Sequence, residues 1–386
     1  MDLDARYPAI ADLKRRAKRR IPYFAWEYLD SATGDETTAR RNREALDRVL
    51  FRPAILSGEI EPNLSTRFLG RDHPLPFGIA PVGMSGLFWP GAEIALARLA
   101  AERGLPYTLS TVAAQPPEAL APHIGDQGWF QLYPPRDRGI LADMLRRARD
   151  AGFHTLVLTA DVPAASRRER QLRGGVTSPP RITPRILSHV LRTPAWALGT
   201  LRHGMPRLRM MEAYAKATPG TSSTAHVGYM LRIAPDWDYL NELRDAWDGP
   251  LIVKGVLNGD DAARLQAAGA DAVWVSNHAG RQFDAAPAAL DALREVRAAV
   301  PDLPLLFDGA IASGLDVMRA LALGADFVML GKAFHWGLAA LGADGARHVV
   351  HILEADMRAA MSQAGARSLA ELPGRLYDRS ADRSPM

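Results

Sequence analysis

LIVKGVLNGDDAARLQAAGADAVWVSN, residues 251–277, reads as a strand, a helix and a second strand. The two β-rich runs, LIVKGV (251–256) and AVWVSN (272–277), are apolar along nearly their whole length. Strands buried on both faces look like this, and those of a half-exposed sheet do not. Between them 259–269 is alanine-rich and amphipathic, the pattern of a crossover helix joining parallel strands. The unit recurs in both directions. Upstream lie FGIAPVG (77–83), YTLST (107–111), WFQLY (129–133) and TLVLTAD (155–161); downstream lie PLLFDG (304–309) and FVMLGK (327–332). Helical stretches fall at 91–104, 140–151, 236–248, 286–300 and 314–324. Eight strand–helix units in about 250 residues predict an α/β protein of the closed (β/α)8 TIM-barrel class, in preference to an open doubly wound sheet.

The remaining chain is assigned around that barrel. Residues 1–75 read as a mainly helical N-terminal extension, 76–345 as the barrel and 346–386 as a last helix and tail. One interval is too long: some ninety residues separate Asp161 from Leu251, and 165–233 reads as an insertion rich in Pro, Arg, Gly and Ser. Barrel insertions of this length serve as lids, binding loops or interaction segments.

Composition removes several classes of function. With no cysteine among 386 residues there is no disulfide scaffold, thiol nucleophile, iron–sulfur cluster or thiolate zinc site. Five lysines stand against 42 arginines, and the net charge of +4 is small for this length. The basic run LKRRAKRR (13–20) fits the solvated face of a helix, so no nucleic-acid partner is expected. His335 and His351 read as packed side chains, and no metal is expected. The opening residues lack the apolar core of a secretory signal, and no run of 18 uncharged apolar residues occurs, so a cytoplasmic location is the expectation.

Chemistry in such a barrel collects at the carboxyl ends of the strands. Those ends carry Pro81, Val82 and Gly83, then Ser110, Gln131, Tyr133, Thr159 and Asp161. Further on come Lys254, Ser276 through His278 with Arg281, Asp308–Gly309 and Gly331–Lys332. A packed core needs none of these polar groups. His278 is the candidate general base because its ordinary pKa lies near neutrality, and Asp161 could orient its ring. Arg281 and Arg168 offer forked binding of a carboxylate. Lys254 could stabilise an anion on a cofactor or substrate, and the small, glycine-containing loops after the last two strands suit a phosphate. An anionic substrate, a base and a phosphorylated cofactor follow from the residues alone.

SNHAGRQFD (276–284) resembles the SNHGGRQLD signature of the FMN-dependent L-2-hydroxy-acid dehydrogenases and oxidases. YLDSATGDE, RNREAL, FRPAIL, IAPVGM, TLSTV, WFQLY, LTADVP, VKGV, LALGAD and ARSLAEL extend the likeness over nearly the whole chain. IAPVGMSGLFWP and TLSTVAAQPPEALAP look closest to the bacterial respiratory L-lactate dehydrogenase branch. The resemblance implies FMN as cofactor and oxidation of a 2-hydroxy acid, L-lactate to pyruvate foremost. It implies electrons passed to quinone or another respiratory acceptor, with an oxygen-using, peroxide-releasing oxidase as the alternative and a non-catalytic ligand-binding barrel as a remoter one. It also implies a homotetramer.

The implied roles follow residue by residue. Pro81, Val82, Gly83, Ser110, Gln131, Thr159 and Ser276 would surround the flavin, with Lys254 at its N1 and C2 carbonyl. Asp308 would take the ribityl chain, with Gly309, Gly331 and Lys332 beside the phosphate. Tyr28, Arg168 and Arg281 would hold the substrate carboxylate, Tyr133 would face its hydroxyl, and His278 with Asp161 would take the proton. Three positions depart from the family pattern. Ala279 replaces a glycine, Ala312 replaces the arginine of the phosphate loop, and Lys332 replaces the arginine after strand eight. A lost charge-assisted hydrogen bond costs about 1.5–3 kcal/mol, so weaker flavin retention is expected. Small residues at Gly83, Val112 and Ala165 suggest room beyond glycolate. The stretch 188–211, mixing Trp, Leu and Met with Arg and His, is a candidate membrane-surface contact, which would place the protein peripherally on the inner face of the cell membrane.

Overall fold

The computed structural model describes residues 2–175, 183–215 and 233–377. A hairpin of β1 (Thr66–Phe68) and β2 (Arg71–His73) precedes eight parallel strands. These are β3 (Phe77–Ile79), β4 (Tyr107–Ser110), β5 (Gly128–Leu132), β6 (Thr155–Thr159), β7 (Leu251–Val256), β8 (Ala272–Val275), β9 (Leu305–Phe307) and β10 (Phe327–Leu330). They close in the order β10-β3-β4-β5-β6-β7-β8-β9, a (β/α)8 TIM barrel.

Helices flank the strands throughout. In the extension they are α1 (Ile10–Arg20), α2 (Tyr23–Asp30) and α3 (Thr37–Asp47). Around the first half of the barrel lie α4 (Ala92–Arg103), α5 (Pro117–Ile124) and α6 (Arg138–Asp150). The insertion contributes α7 (Glu169–Gly174), α8 (Pro184–Leu191), α9 (Pro194–His203) and α10 (Arg209–Ala215). The second half has α11 (Trp237–Ala246), α12 (Gly259–Ala267), α13 (Ala289–Ala299), α14 (Gly314–Ala322), α15 (Lys332–Leu341) and α16 (Ala343–Ala364). Several start where a short polar side chain caps the first free amides: Asp236, Asn258 and Ser313 accept from the backbone N–H three residues on.

Inside the barrel Trp129, Val157, Ile252, Trp274, Leu306, Phe327 and Met329 form one buried cluster. Its amino end is closed by Phe68 of the hairpin, whose ring lies 5.2 Å from Phe327 and 6.2 Å from Trp129. The expectation of a mainly helical extension omits this hairpin. Three-residue strands with one inward aromatic carry too little periodicity to stand out. With the amino end filled by aromatic rings, the polar strand ends are left to shape the carboxyl mouth.

The insertion divides its apolar residues between two faces. Trp196, Met210 and Met211 are buried, and the Trp196 indole N–H donates to the Leu87 carbonyl at 2.9 Å. Leu187, Leu191, Leu198, Leu201 and Met205 are exposed. Among the described residues no helix is long and apolar enough to cross a membrane.

Candidate active site

At the carboxyl end the barrel's interior layer turns polar. Parallel register sets Ser110 beside Gln131 and Thr159 beside Lys254. Ser110 Oγ donates to Gln131 Oε1 at 2.9 Å, and Gln131 Nε2 donates to Thr159 Oγ1 at 3.0 Å. All four side chains are buried, where polar groups persist only if partnered. Lys254 Nζ donates to Ser276 Oγ at 2.6 Å and lies 3.1 Å from Asp308 Oδ2. Ser276 Oγ in turn donates to Asp308 Oδ1 at 2.6 Å and accepts the His278 N–H at 3.0 Å. Ser276 thus braces three neighbours, lysine, aspartate and histidine loop, from behind.

His278 and Asp161 meet across the mouth: the ring Nδ1 is 3.1 and 3.2 Å from the two carboxylate oxygens. The approach depends on Gly255, where a Cβ would come within 2.4 Å of Asp161 Cβ and where φ is +106°. Only glycine serves there. Burial lowers the pKa of His278 more than Asp161 raises it, so the imidazole is neutral at neutral pH. Burial opposes ionisation of Asp161, but His278 and Lys254 outweigh it and hold the carboxyl below its ordinary value. An ionised Asp161 accepts from Nδ1–H and leaves the Nε2 lone pair as the base.

The loop bearing the histidine is strained. His278 and Ala279 both have φ of +55°, a left-handed conformation costing a non-glycine residue about 1–2 kcal/mol. Met84, Arg168 and Ala310, also left-handed, lie on other carboxyl-end loops. Such strain survives where the surrounding contacts over-determine the backbone.

The two arginines play different parts. Arg281 donates through Nη1 to the carbonyls of Leu29 (3.2 Å) and Ser31 (2.8 Å), and through Nη2 to that of Tyr28 (2.8 Å). It therefore caps the C-terminus of α2, and its guanidinium lies 5.9 Å from the Tyr28 ring. Arg168 uses only Nε among the described residues, donating to Ser166 Oγ at 3.1 Å, and Ser166 Oγ donates to the Arg281 carbonyl at 2.6 Å. After burial, Arg168 is the main influence lowering the pKa of Arg281, and it adds a smaller lowering to His278 behind that of Lys254. Tyr133 follows β5, its backbone N–H held by Thr111 Oγ1 at 3.1 Å.

At the other end of the mouth, the first three amides of α15, those of Lys332, Ala333 and Phe334, precede its first internal bond, from His335 N to the Gly331 carbonyl. Such a terminus is suited to a phosphate. The 308–312 loop beside it is shaped by Asp316, which accepts the Ala312 N–H at 3.0 Å. Arg43, from α3, reaches Asp316 with two bonds of 2.7 Å and the Ala310 carbonyl at 3.2 Å. With alanine at 312, this loop offers backbone groups but no guanidinium of its own. The Lys332 ammonium donates to the Asp30 carbonyl at 2.7 Å. Burial and the adjacent Arg281 push it down to about 7.

The groups present fit FMN. Amide and hydroxyl groups of Ser110, Gln131 and Thr159 match the polar edge of an isoalloxazine, Lys254 supplies a buried cation, and the start of α15 suits the phosphate. One expectation changes: a Cβ at Gly83 would lie 2.7 Å from Val112 Cγ2. The space at Gly83 is filled by Val112 and adds nothing to the pocket.

Sequence reading missed four features. Ser166 bridges the arginine loops, and Arg43 braces the phosphate loop. On α7, Arg170 ties down Glu27 (2.7 Å), Asp30 (3.2 Å) and Glu36 (3.0 Å). Finally, the buried Ser85 Oγ lies 2.7 Å from His335 Nε2, joining the loop after β3 to α15. No local motif signals any of these contacts, since the partners are far apart in the chain.

Comparison with known proteins agrees with this geometry. The family described as FMN-dependent dehydrogenase matches residues 17–379. An L-lactate dehydrogenase of Pseudomonas aeruginosa is 39% identical over 369 residues, covering 94% of this chain and 96% of the relative. One from Vibrio cholerae is 38% identical, covering 94% and 97%. Among solved structures, a monotopic membrane protein, (S)-mandelate dehydrogenase, superposes with a TM-score of 0.89 at 34% identity, covering 96% of this chain and 99% of that one. A mandelate oxidase gives 0.80 at 34% identity, covering 96% and 98%.

Proposed function

The chain belongs to the FMN-dependent dehydrogenase family and is an FMN-dependent L-2-hydroxy-acid dehydrogenase, and from that premise we propose that it oxidises L-lactate to pyruvate with His278 as the base. The observation that carries this reading is the His278–Asp161 pair, 3.1 Å apart. A neutral imidazole with Nδ1 committed to a carboxylate can accept a proton at Nε2, and Asp161 stabilises the imidazolium that results. Arg168 provides the fork for the substrate carboxylate. Tyr28 and Tyr133 would bound the same space. Ser110, Gln131, Thr159 and Lys254 would hold the flavin ring, with Ser276 bracing Lys254. Pro81, Val82 and Gly83 would lie along the ring, Asp308 and Gly309 along the ribityl chain, and Gly331 at the phosphate. When bound, FMN takes up the two electrons that leave the substrate carbon.

The L-lactate dehydrogenase relatives favour L-lactate among the 2-hydroxy acids. The test is anaerobic addition of L-lactate, glycolate and L-mandelate to the flavin-loaded protein. L-Lactate is expected to bleach the flavin bands. Bleaching by L-mandelate alone would replace the substrate, and bleaching by none would remove the reading.

The exposed leucines of α8 and α9, interspersed in the sequence with the exposed Arg185, Arg192, Arg202 and Arg207, fit an anionic lipid surface. The resemblance to a monotopic membrane protein supports that assignment. Peripheral attachment there would bring the site to a membrane acceptor such as quinone.

A further inference from the structure

The last four carbonyls of a helix have no partner within it, and at the C-terminus of α2 the carbonyls of residues 28 to 31 are met by two basic side chains from the barrel mouth. Arg281 takes those of Tyr28, Leu29 and Ser31; Lys332 takes that of Asp30 at 2.7 Å. The two reach α2 from strand ends on either side of β9. We propose that Lys332 is a positioning residue for the substrate end of the site: together with Arg281 it holds the last turn of α2, and with it Tyr28, over the barrel mouth. This rests on the reading of Tyr28 as a substrate-binding residue.

Three observations support the assignment. Lys332 bonds the backbone carbonyl of Asp30, while the Asp30 carboxylate is separately satisfied by Lys14 at 2.9 Å and Arg170 at 3.2 Å. The lysine thus caps the peptide group, and against the cost of burial its charge also helps hold the Asp30 carboxyl below its ordinary value. When protonated, its ammonium also lies at the negative end of the helix dipole, where a cation is favoured. The neighbouring groups are otherwise accounted for. Arg170 holds Glu27 and Glu36 as well as Asp30, and Lys14 also lies 4.6 Å from the Trp336 ring. A flexible ammonium can reach one carbonyl in a crowded corner that a planar fork would overfill. On this account the phosphate is left to backbone amides.

The test separates the two ends of the site. Lys332→Met is made in the wild-type and Tyr28→Phe backgrounds. FMN affinity is measured by fluorescence titration of the apoprotein, KM and kcat for L-lactate with a soluble dye, and hydrogen exchange over residues 23–33. Loss of a charged cap to a partly buried carbonyl predicts a rise in KM of about ten-fold or more. FMN affinity should change less than about two-fold, with faster exchange in α2. The KM effect should shrink to about two-fold in the Tyr28→Phe background, because coupled residues are not additive. A ten-fold loss of FMN affinity with KM unchanged would overturn the proposal, as would full additivity with Tyr28→Phe. If the methionine variant does not fold, Lys332→Gln, which keeps a donor for the carbonyl, should hold KM and FMN affinity within about two-fold of wild type, and a ten-fold loss of FMN affinity with KM unchanged would again overturn the proposal. A wild-type protein that binds FMN but is not reduced by L-lactate would count against the functional reading; the exchange and FMN measurements would still decide the role of Lys332.

Discussion

Ala279 is the residue at which this chain departs most sharply from its family signature and from backbone preference together. Its φ of +55° is where a glycine sits without strain. The left-handed penalty of about 1–2 kcal/mol is partly offset because alanine restricts the unfolded chain by about 0.4–1 kcal/mol. Ala279→Gly is therefore expected to stabilise the protein by up to about 1 kcal/mol, seen as a higher Tm at unchanged FMN occupancy. A lower Tm would mean that the methyl group makes a contact worth more than the strain. Lys332 teaches the complementary lesson. Its position marks it for the phosphate by family pattern, yet its ammonium is bonded to the Asp30 carbonyl.

Among the elements, the hairpin of α8 and α9 combines two jobs. Trp196 on its inner face donates to the Leu87 carbonyl and packs edge-on against Phe24 of α2, ring centres 5.8 Å apart. Leu191, Leu198 and Leu201 point outward. Full burial of a leucine contributes about 1.5–3 kcal/mol, so three of them engaged with lipid would dominate attachment. Replacing all three by aspartate should abolish co-sedimentation with anionic vesicles and leave anaerobic flavin reduction by L-lactate intact. Unchanged sedimentation would assign the exposed face to something other than lipid. The sequence shows the mixture of apolar and basic residues over 188–211; which of them face inward is decided by α2 and the loop after β3, more than a hundred residues earlier.

At the scale of the molecule, the barrel is readable because parallel strands are buried on both faces and announce themselves as short apolar runs. The candidate site is readable in part for the same reason: Ser110, Gln131, Thr159 and Lys254 interrupt those runs at their ends. The extension is where reading stops. Phe68 plugs the barrel floor, Arg281 caps a helix some 250 positions earlier, and Arg170 gathers three acids of residues 27–36. Such contacts have no period and no motif, because they exist only once the barrel has closed. They serve one arrangement, a base and an arginine set beside a buried polar ring with a helix held above it.

The central claim is that this arrangement oxidises a 2-hydroxy acid through His278. The most direct measurement compares anaerobic visible spectra of flavin-loaded wild type and His278→Gln before and after L-lactate. The account predicts rapid bleaching in the wild type. In the variant it predicts normal FMN content with reduction slowed by at least about 10²-fold, the lower bound for removing a general base. Near-normal bleaching in the variant would contradict it.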